Sequence, residues 1–224
     1  MATRLTETVW WCNFQGVNAY LLRDGDALTL VDAGMTWHAP GVARAASVAG
    51  GGLDAIERVL VTHYDVDHVG ALGRLEGLDA TVYAREPDAS YLTGSERPPW
   101  TNGKGALQRA FGLFGSTPSP PVESIDDGER IGPFTAYATP GHSPGHTAFV
   151  SESHSVAFVG DLVRESGGEF RPVPSILNYD TDRSRTSLRE FVDRVPPFEA
   201  ACMGHGTPFG EGGGDRLAAF AARQ

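Results

Sequence analysis

The sequence is short of lysine, of cysteine and of long apolar runs, and each shortage narrows what it can be. Lys104 is the only lysine among 18 basic residues, set against 28 acidic ones, for a formal net charge of −10. So acidic a chain offers no general surface for a phosphate backbone, and nucleic acid is not an expected partner. A local groove is not excluded by that number; Arg164, Arg171, Arg183 and Arg185 are the only clustered candidates for one. The two cysteines, Cys12 and Cys202, form no CxxC pair and read as reduced thiols. No apolar run approaches membrane-spanning length, and no basic region followed by an apolar stretch marks a leader. A soluble, cytoplasmic protein without a membrane partner is therefore expected.

What is present is an ordinary globular balance, 41% hydrophobic and 21% charged over 224 residues, enough for one sizeable core. Residues 1–224 read as a single α/β domain. Apolar, β-branched runs predict strands over 17–23, 27–31, 59–61, 80–84, 134–139, 148–151, 156–159 and 199–203. Helical patterns are expected over 40–49, 53–58, 69–75, 184–195 and 214–222. Residues 85–123 differ in character, with proline pairs around an amphipathic piece at 106–114. That piece reads as an inserted lid, with Trp100, Phe111 and Phe114 placed to cover a substrate pocket or to make a homodimer contact.

The densest chemistry follows the 59–61 strand, where His63, Asp65, Asp67 and His68 supply four potential metal ligands within six residues. Imidazole nitrogen and carboxylate oxygen are standard ligands of zinc and similar divalent ions. Alternation along an extended segment would point His63, Asp65 and Asp67 the same way, with His68 free to turn to a second centre. Other strands also end in ligand types: Asp32 after 27–31, His142 after 134–139, Asp161 after 156–159 and His205 after 199–203. Loops at strand ends are where layered α/β proteins build their sites.

In this order the motifs Val31-Asp32-Ala33-Gly34, His63 to His68, Thr139-Pro140-Gly141-His142-Ser143, Val159-Gly160-Asp161 and Gly204-His205-Gly206 resemble those of the metallo-β-lactamase superfamily. The resemblance runs from Asn18 to about His205. It implies a four-layer αβ/βα sandwich, two mixed sheets face to face with helices outside, and two divalent ions. By resemblance one ion is held by His63, Asp65 and His142, the other by Asp67, His68 and His205, with Asp161 bridging. Asp32 would orient ligands from behind, and His146 would support them or line the pocket. Tyr64, Asn178 and Tyr179 are further pocket candidates, while His38 and His154 read as surface residues.

The family's usual cluster is HxHxDH, and here Asp65 stands where a histidine is expected. Two ions bring four positive charges; Asp65, Asp67, Asp161 and a bridging hydroxide bring four negative ones, so the centre is about neutral. Weaker Lewis acidity follows, with zinc joined by manganese or iron as suitable ions. The reaction expected is hydrolysis of a small-molecule ester, thioester or lactone by a metal-bound hydroxide, with Asp67 orienting the nucleophile. A phosphodiesterase or nuclease of the same superfamily, or a metal-binding sensor with little activity, is the alternative.

Overall fold

A computed structural model describes residues 2–111 and 118–224. Seven strands, β1 (Ala2–Arg4), β2 (Val9–Phe14), β3 (Val17–Asp24), β4 (Ala27–Val31), β5 (Ile56–Leu60), β6 (Thr81–Arg85) and β7 (Val122–Ile125), form one sheet in sequence order. Its first four strands run antiparallel, and β4 to β7 pair in parallel. The second sheet contains β8 (Arg130–Ile131), β9 (Phe134–Ala138), β10 (Thr147–Ser151) and β11 (Val156–Gly160). After a small hairpin, β12 (Arg164–Ser166) and β13 (Glu169–Arg171), strand β14 (Ala200–Met203) joins β11 in parallel to close that sheet.

Side-chain alternation explains the layering. Along β3, Tyr20 and Leu22 face the second sheet, where they meet Phe134, Phe149, Phe158 and Cys202 in the central core. Ala19 and Leu21 point the other way, into a core shared with α1 (Ala39–Val48). On the far side of the second sheet, Ala157, Val159, Ala201 and Met203 pack on α5 (Thr181–Arg194) and α6 (Gly213–Ala221). Strands β10 and β11 are buried on both faces, which is why they read as continuous apolar runs rather than alternating ones. The outcome is the expected αβ/βα sandwich of two mixed sheets. Among the described residues, no helix is long and apolar enough to cross a membrane. Cys12 and Cys202 are both buried free thiols.

Several boundaries differ from expectation for local reasons. The helix expected over 53–58 is only a 3-10 turn, Leu53–Ala55, because Ile56 already pairs with Leu28 in the parallel ladder. The helix expected at 69–75 starts earlier and breaks: α2 spans Val66–Val69, and a 3-10 turn follows at Leu72–Arg74. Asp65 keeps an extended backbone while its carbonyl accepts from the N–H groups of His68 and Val69, so the helix begins inside the ligand cluster. Helix α5 starts at Thr181 rather than 184, since the Asp180 carboxylate accepts from the backbone N–H of Arg183. Strands β1, β2, β7, β8, β12 and β13 went unread; most are two to four residues long, too short to establish a period.

The 85–123 segment contains α3 (Asp88–Thr93) and α4 (Gly103–Phe111) and runs into edge strand β7. Phe114 lies outside the described residues. The two sheets are tied together by Asn18, whose side chain donates to the carbonyls of Met203 and Gly206, and by Tyr20, whose hydroxyl donates to the Met203 carbonyl.

Candidate metal centre

The ligand-type residues expected from the sequence converge at the C-terminal ends of their strands. His63 and Asp65 follow β5, His142 follows β9, Asp161 follows β11 and His205 follows β14, while Asp67 and His68 lie on α2. Asp67 is therefore not the third member of an extended alternation. The helical turn after Asp65 swings Asp67 and His68 together toward His205, forming a group distinct from His63 and His142.

Four imidazoles present Nε2 inward because each Nδ1 is engaged from behind. Nδ1–H of His63 donates to Thr62 Oγ1 at 3.0 Å, that of His68 to Asp32 Oδ2 at 2.8 Å, that of His142 to Asn178 Oδ1 at 3.0 Å and that of His205 to the Gly16 carbonyl at 2.8 Å. This tautomer assignment follows from the network, since Thr62 Oγ1 itself donates to Asp32 Oδ2 at 2.7 Å. Asp32, at a φ of +54° just after β4, thus fixes both Thr62 and His68.

Two poles result. At the first, His63 Nε2, His142 Nε2 and Asp65 Oδ2 form a triangle with 3.2 Å edges. A tetrahedral ion with bonds of about 2.0 Å would impose edges of about 3.3 Å. At the second, His205 Nε2 is 3.4 Å and His68 Nε2 4.0 Å from Asp67 Oδ2. Asp161 lies between the poles, with Oδ2 at 3.5 Å from His142 Nε2 and 3.3 Å from His205 Nε2, and Oδ1 at 3.7 Å from His68 Nε2. His68 Nε2 and Asp161 Oδ1 are buried without any hydrogen-bond partner. Native proteins rarely leave such atoms unpaired, and these are two atoms a cation could join. The donor set, neutral nitrogen and carboxylate oxygen around a shared acid, fits divalent metal ions.

The carboxylates favour positive charge at the second pole. Burial disfavours a proton on His68, but the Asp32, Asp67 and Asp161 carboxylates outweigh it and lift that imidazole to about 10. Asp161 beside His205 lifts it to about 9. Burial would raise Asp161 itself, yet His205, His142 and His68 hold it well below the usual carboxylate range. At the first pole, burial drives His63 well down, so it is neutral.

Close approach at the centre depends on Gly204, where a Cβ would run into Asp161 Oδ1 and the His68 ring. His146 is fully used elsewhere: Nε2 accepts from the Asp161 backbone N–H at 3.1 Å and Nδ1 bonds Thr139 Oγ1 at 2.8 Å. It positions the Asp161 loop and has no nitrogen left over.

The remaining candidates fall in varied places. Tyr64 turns its ring to Tyr91, and its carbonyl accepts from Gln108. Asn178 backs His142. The Tyr179 hydroxyl donates to Gln108 Oε1, tying α4 to the site. Trp100 is 64% exposed under the Arg109 guanidinium, and α4 includes Phe111. His38 and His154 are half-buried rather than surface residues: His38 Nδ1 accepts from the Met35 N–H, and His154 bonds Thr8.

Sequence reasoning missed three contributors. Asp88 accepts from the Tyr64 N–H, the Ser143 hydroxyl and the Gly145 N–H, joining the loops of both sheets. Gln108 donates to Asp65 Oδ1 at 2.7 Å, and Lys104 Nζ lies 2.9 Å from Asp65 Oδ2. The single lysine was a visible oddity, but nothing local connects it to a residue 39 positions earlier.

The family model for the metallo-β-lactamase superfamily matches residues 12–205. The chain belongs to that superfamily. Members of this metallo-β-lactamase superfamily bind divalent metals. A probable metallo-hydrolase, YybB of Bacillus subtilis, is 26% identical over 91% of this chain and 90% of its own length, which supports a hydrolase. The crystal structure of TTHA1623 in a di-iron-bound form is 29% identical, covers 91% of this chain and 94% of its own, and superposes with a TM-score of 0.67. A B3 metallo-β-lactamase described as having an active-site glutamic acid shares the superfamily fold at a TM-score of 0.71, with 22% identity over 99% of this chain and 86% of its own.

Proposed function

We propose that the protein is a dinuclear metallohydrolase acting on a small-molecule carboxylic ester, thioester or lactone. The observation that carries this reading is the pair of buried, unpartnered ligand atoms, His68 Nε2 and Asp161 Oδ1, facing each other between two sets of inward nitrogen and oxygen donors. His63, Asp65 and His142 would hold one divalent ion and Asp67, His68 and His205 the other, with Asp161 shared. Zinc is the first choice, and the oxygen-rich set also suits manganese or iron. When bound, such ions polarise the bond under attack and make a nucleophilic water available near neutral pH.

The chain's own residues do the rest. The Asp67 carboxylate, part-exposed beside the centre, orients the attacking water and accepts its proton. Asp32 and Asn178 keep His68 and His142 aimed, and His146 holds the Asp161 loop by its backbone.

The exposed surface around α4 is partly apolar. Exposed Trp100, Leu107, Ile176 and Leu177 lie on α4, the segment before it and the 3-10 turn Ser175–Leu177 that α4 touches, a rim that suits a partly apolar substrate. The arginines that could have served a phosphodiester backbone are engaged: Arg171 with Glu169, Arg183 with Glu190, Arg185 with Asp182, and Arg164 with the Pro172 carbonyl.

A panel of aryl esters, acyl thioesters, lactones and bis-phenyl phosphate esters tests the reading. Turnover on one of the first three, lost on chelation and restored by zinc, is expected. Turnover on the phosphodiester alone, or bound metal with no turnover on any of them, would overturn it.

A further inference from the structure

Both oxygens of Asp65 are taken by one helix. Lys104 and Gln108 stand four residues apart on α4 and so share a face. Gln108 donates to Oδ1, and the Lys104 ammonium lies 2.9 Å from Oδ2 and within hydrogen-bonding distance of His142 Nε2. Those last two atoms are two corners of the 3.2 Å triangle at the first pole. Lys104 is only 4% exposed, although lysine is among the residues least often buried. The helix is seated firmly: the Asn102 side chain accepts from the N–H groups of Lys104 and Gly105 and donates to the Tyr179 carbonyl, and Tyr179 donates to Gln108.

We propose that Lys104 is a resident cation of the first pole, competing with a divalent ion for Asp65 Oδ2 and His142 Nε2. The single lone pair of His142 Nε2 cannot accept from an ammonium and bind a metal ion at once, and a divalent ion beside Asp65 repels the ammonium. Filling this pole therefore expels the lysine, while Gln108, on the other oxygen, lets the helix keep its seat. The aspartate at position 65 acquires a reason from this: an imidazole there has no second oxygen for the amide and no negative charge for the ammonium. Among the described residues the second pole has no such competitor, since the ring nitrogens of His68 and His205 contact only Asp32, Asp67, Asp161 and the Gly16 carbonyl. The inference rests on the metal-binding reading above.

Because the chain has one lysine, an amine-reactive acylating reagent read by peptide-level mass spectrometry, which separates it from the α-amino group, reports Lys104. The full-length protein, stripped with chelator, is titrated with zinc at fixed pH, and labelling is followed alongside the stepwise binding constants. Lys104 should be protected at first and become at least tenfold more reactive during one binding step and not the other. Lys104→Met should strengthen that same step at least tenfold and leave the other in place; Lys104→Ala checks that the effect belongs to the lost charge. Two ions bound with Lys104 still protected, or unchanged constants in Lys104→Met, would overturn this proposal alone. No zinc bound at either step would overturn the functional reading and this proposal with it.

Discussion

The two poles of the centre use similar ligands and are held in different ways. His63, Asp65 and His142 form the tighter triangle, but Asp65 and His142 are also gripped by Lys104, Gln108 and Asn178, from α4 and the loop before α5. Asp67, His68 and His205 are more loosely spaced, and their support comes from the scaffold itself, Asp32 after β4 and the Gly16 carbonyl between β2 and β3. The lesson is that a ligand set does not by itself rank two metal positions. What else touches the ligand atoms decides how available each position is.

The largest effect should come from the residue that erases the difference. Asp161→Ala removes the carboxylate between the poles and should weaken zinc binding at both by more than the ~10–100-fold typical of an outer-shell change. Equilibrium dialysis reads this directly, and loss at one pole only would mean that Asp161 is not shared. Asp32→Asn should separate the poles. It weakens the hold on His68 Nδ1–H and should cost about 10–100-fold in zinc affinity at the second pole. The first should change less, since Thr62 still backs His63.

A smaller effect is in protons. In the metal-free protein at pH 7, His68 at about 10 and His205 at about 9 are protonated, whereas His63 is neutral. Filling the second pole should therefore release about two protons and filling the first none from His63, measurable by calorimetry in two buffers of different ionisation enthalpy. The same shifts bear on stability. Both folded-state values lie above the ordinary imidazole value of about 6.5, so the metal-free fold gains stability that is fully present below that pH. That contribution fades as pH rises through about 9 and about 10. Thermal melts of stripped protein should fall over that window, and a flat profile would count against the assignment.

Much of the sandwich was legible because strands buried on both faces leave unbroken apolar runs, as in β10 and β11, and because most site residues sit immediately beyond such runs. Asp161 and His205 needed only their position after Val159-Gly160 and Met203-Gly204. The geometry inside the cluster was not legible in the same way. Whether Asp67 continues the extended segment or starts a helix depends on the Asp65 carbonyl accepting from His68 and Val69, a choice the spacing leaves open. Lys104 was beyond reach for another reason. Its partner is a tertiary contact across 39 residues, and a lysine between two glycines has no local signal for burial. In the metal-free protein the ammonium beside Asp65 offsets the negative charge that aspartate brings where the family has a neutral histidine.

The central claim is that these seven side chains form a metal centre, and metal content tests it most directly. Elemental analysis of protein purified without added metal, beside Asp161→Ala and His205→Ala, should find at least one divalent ion per chain in the wild type and less in each variant. A wild-type protein that holds no ion and takes up none from added zinc would contradict the account.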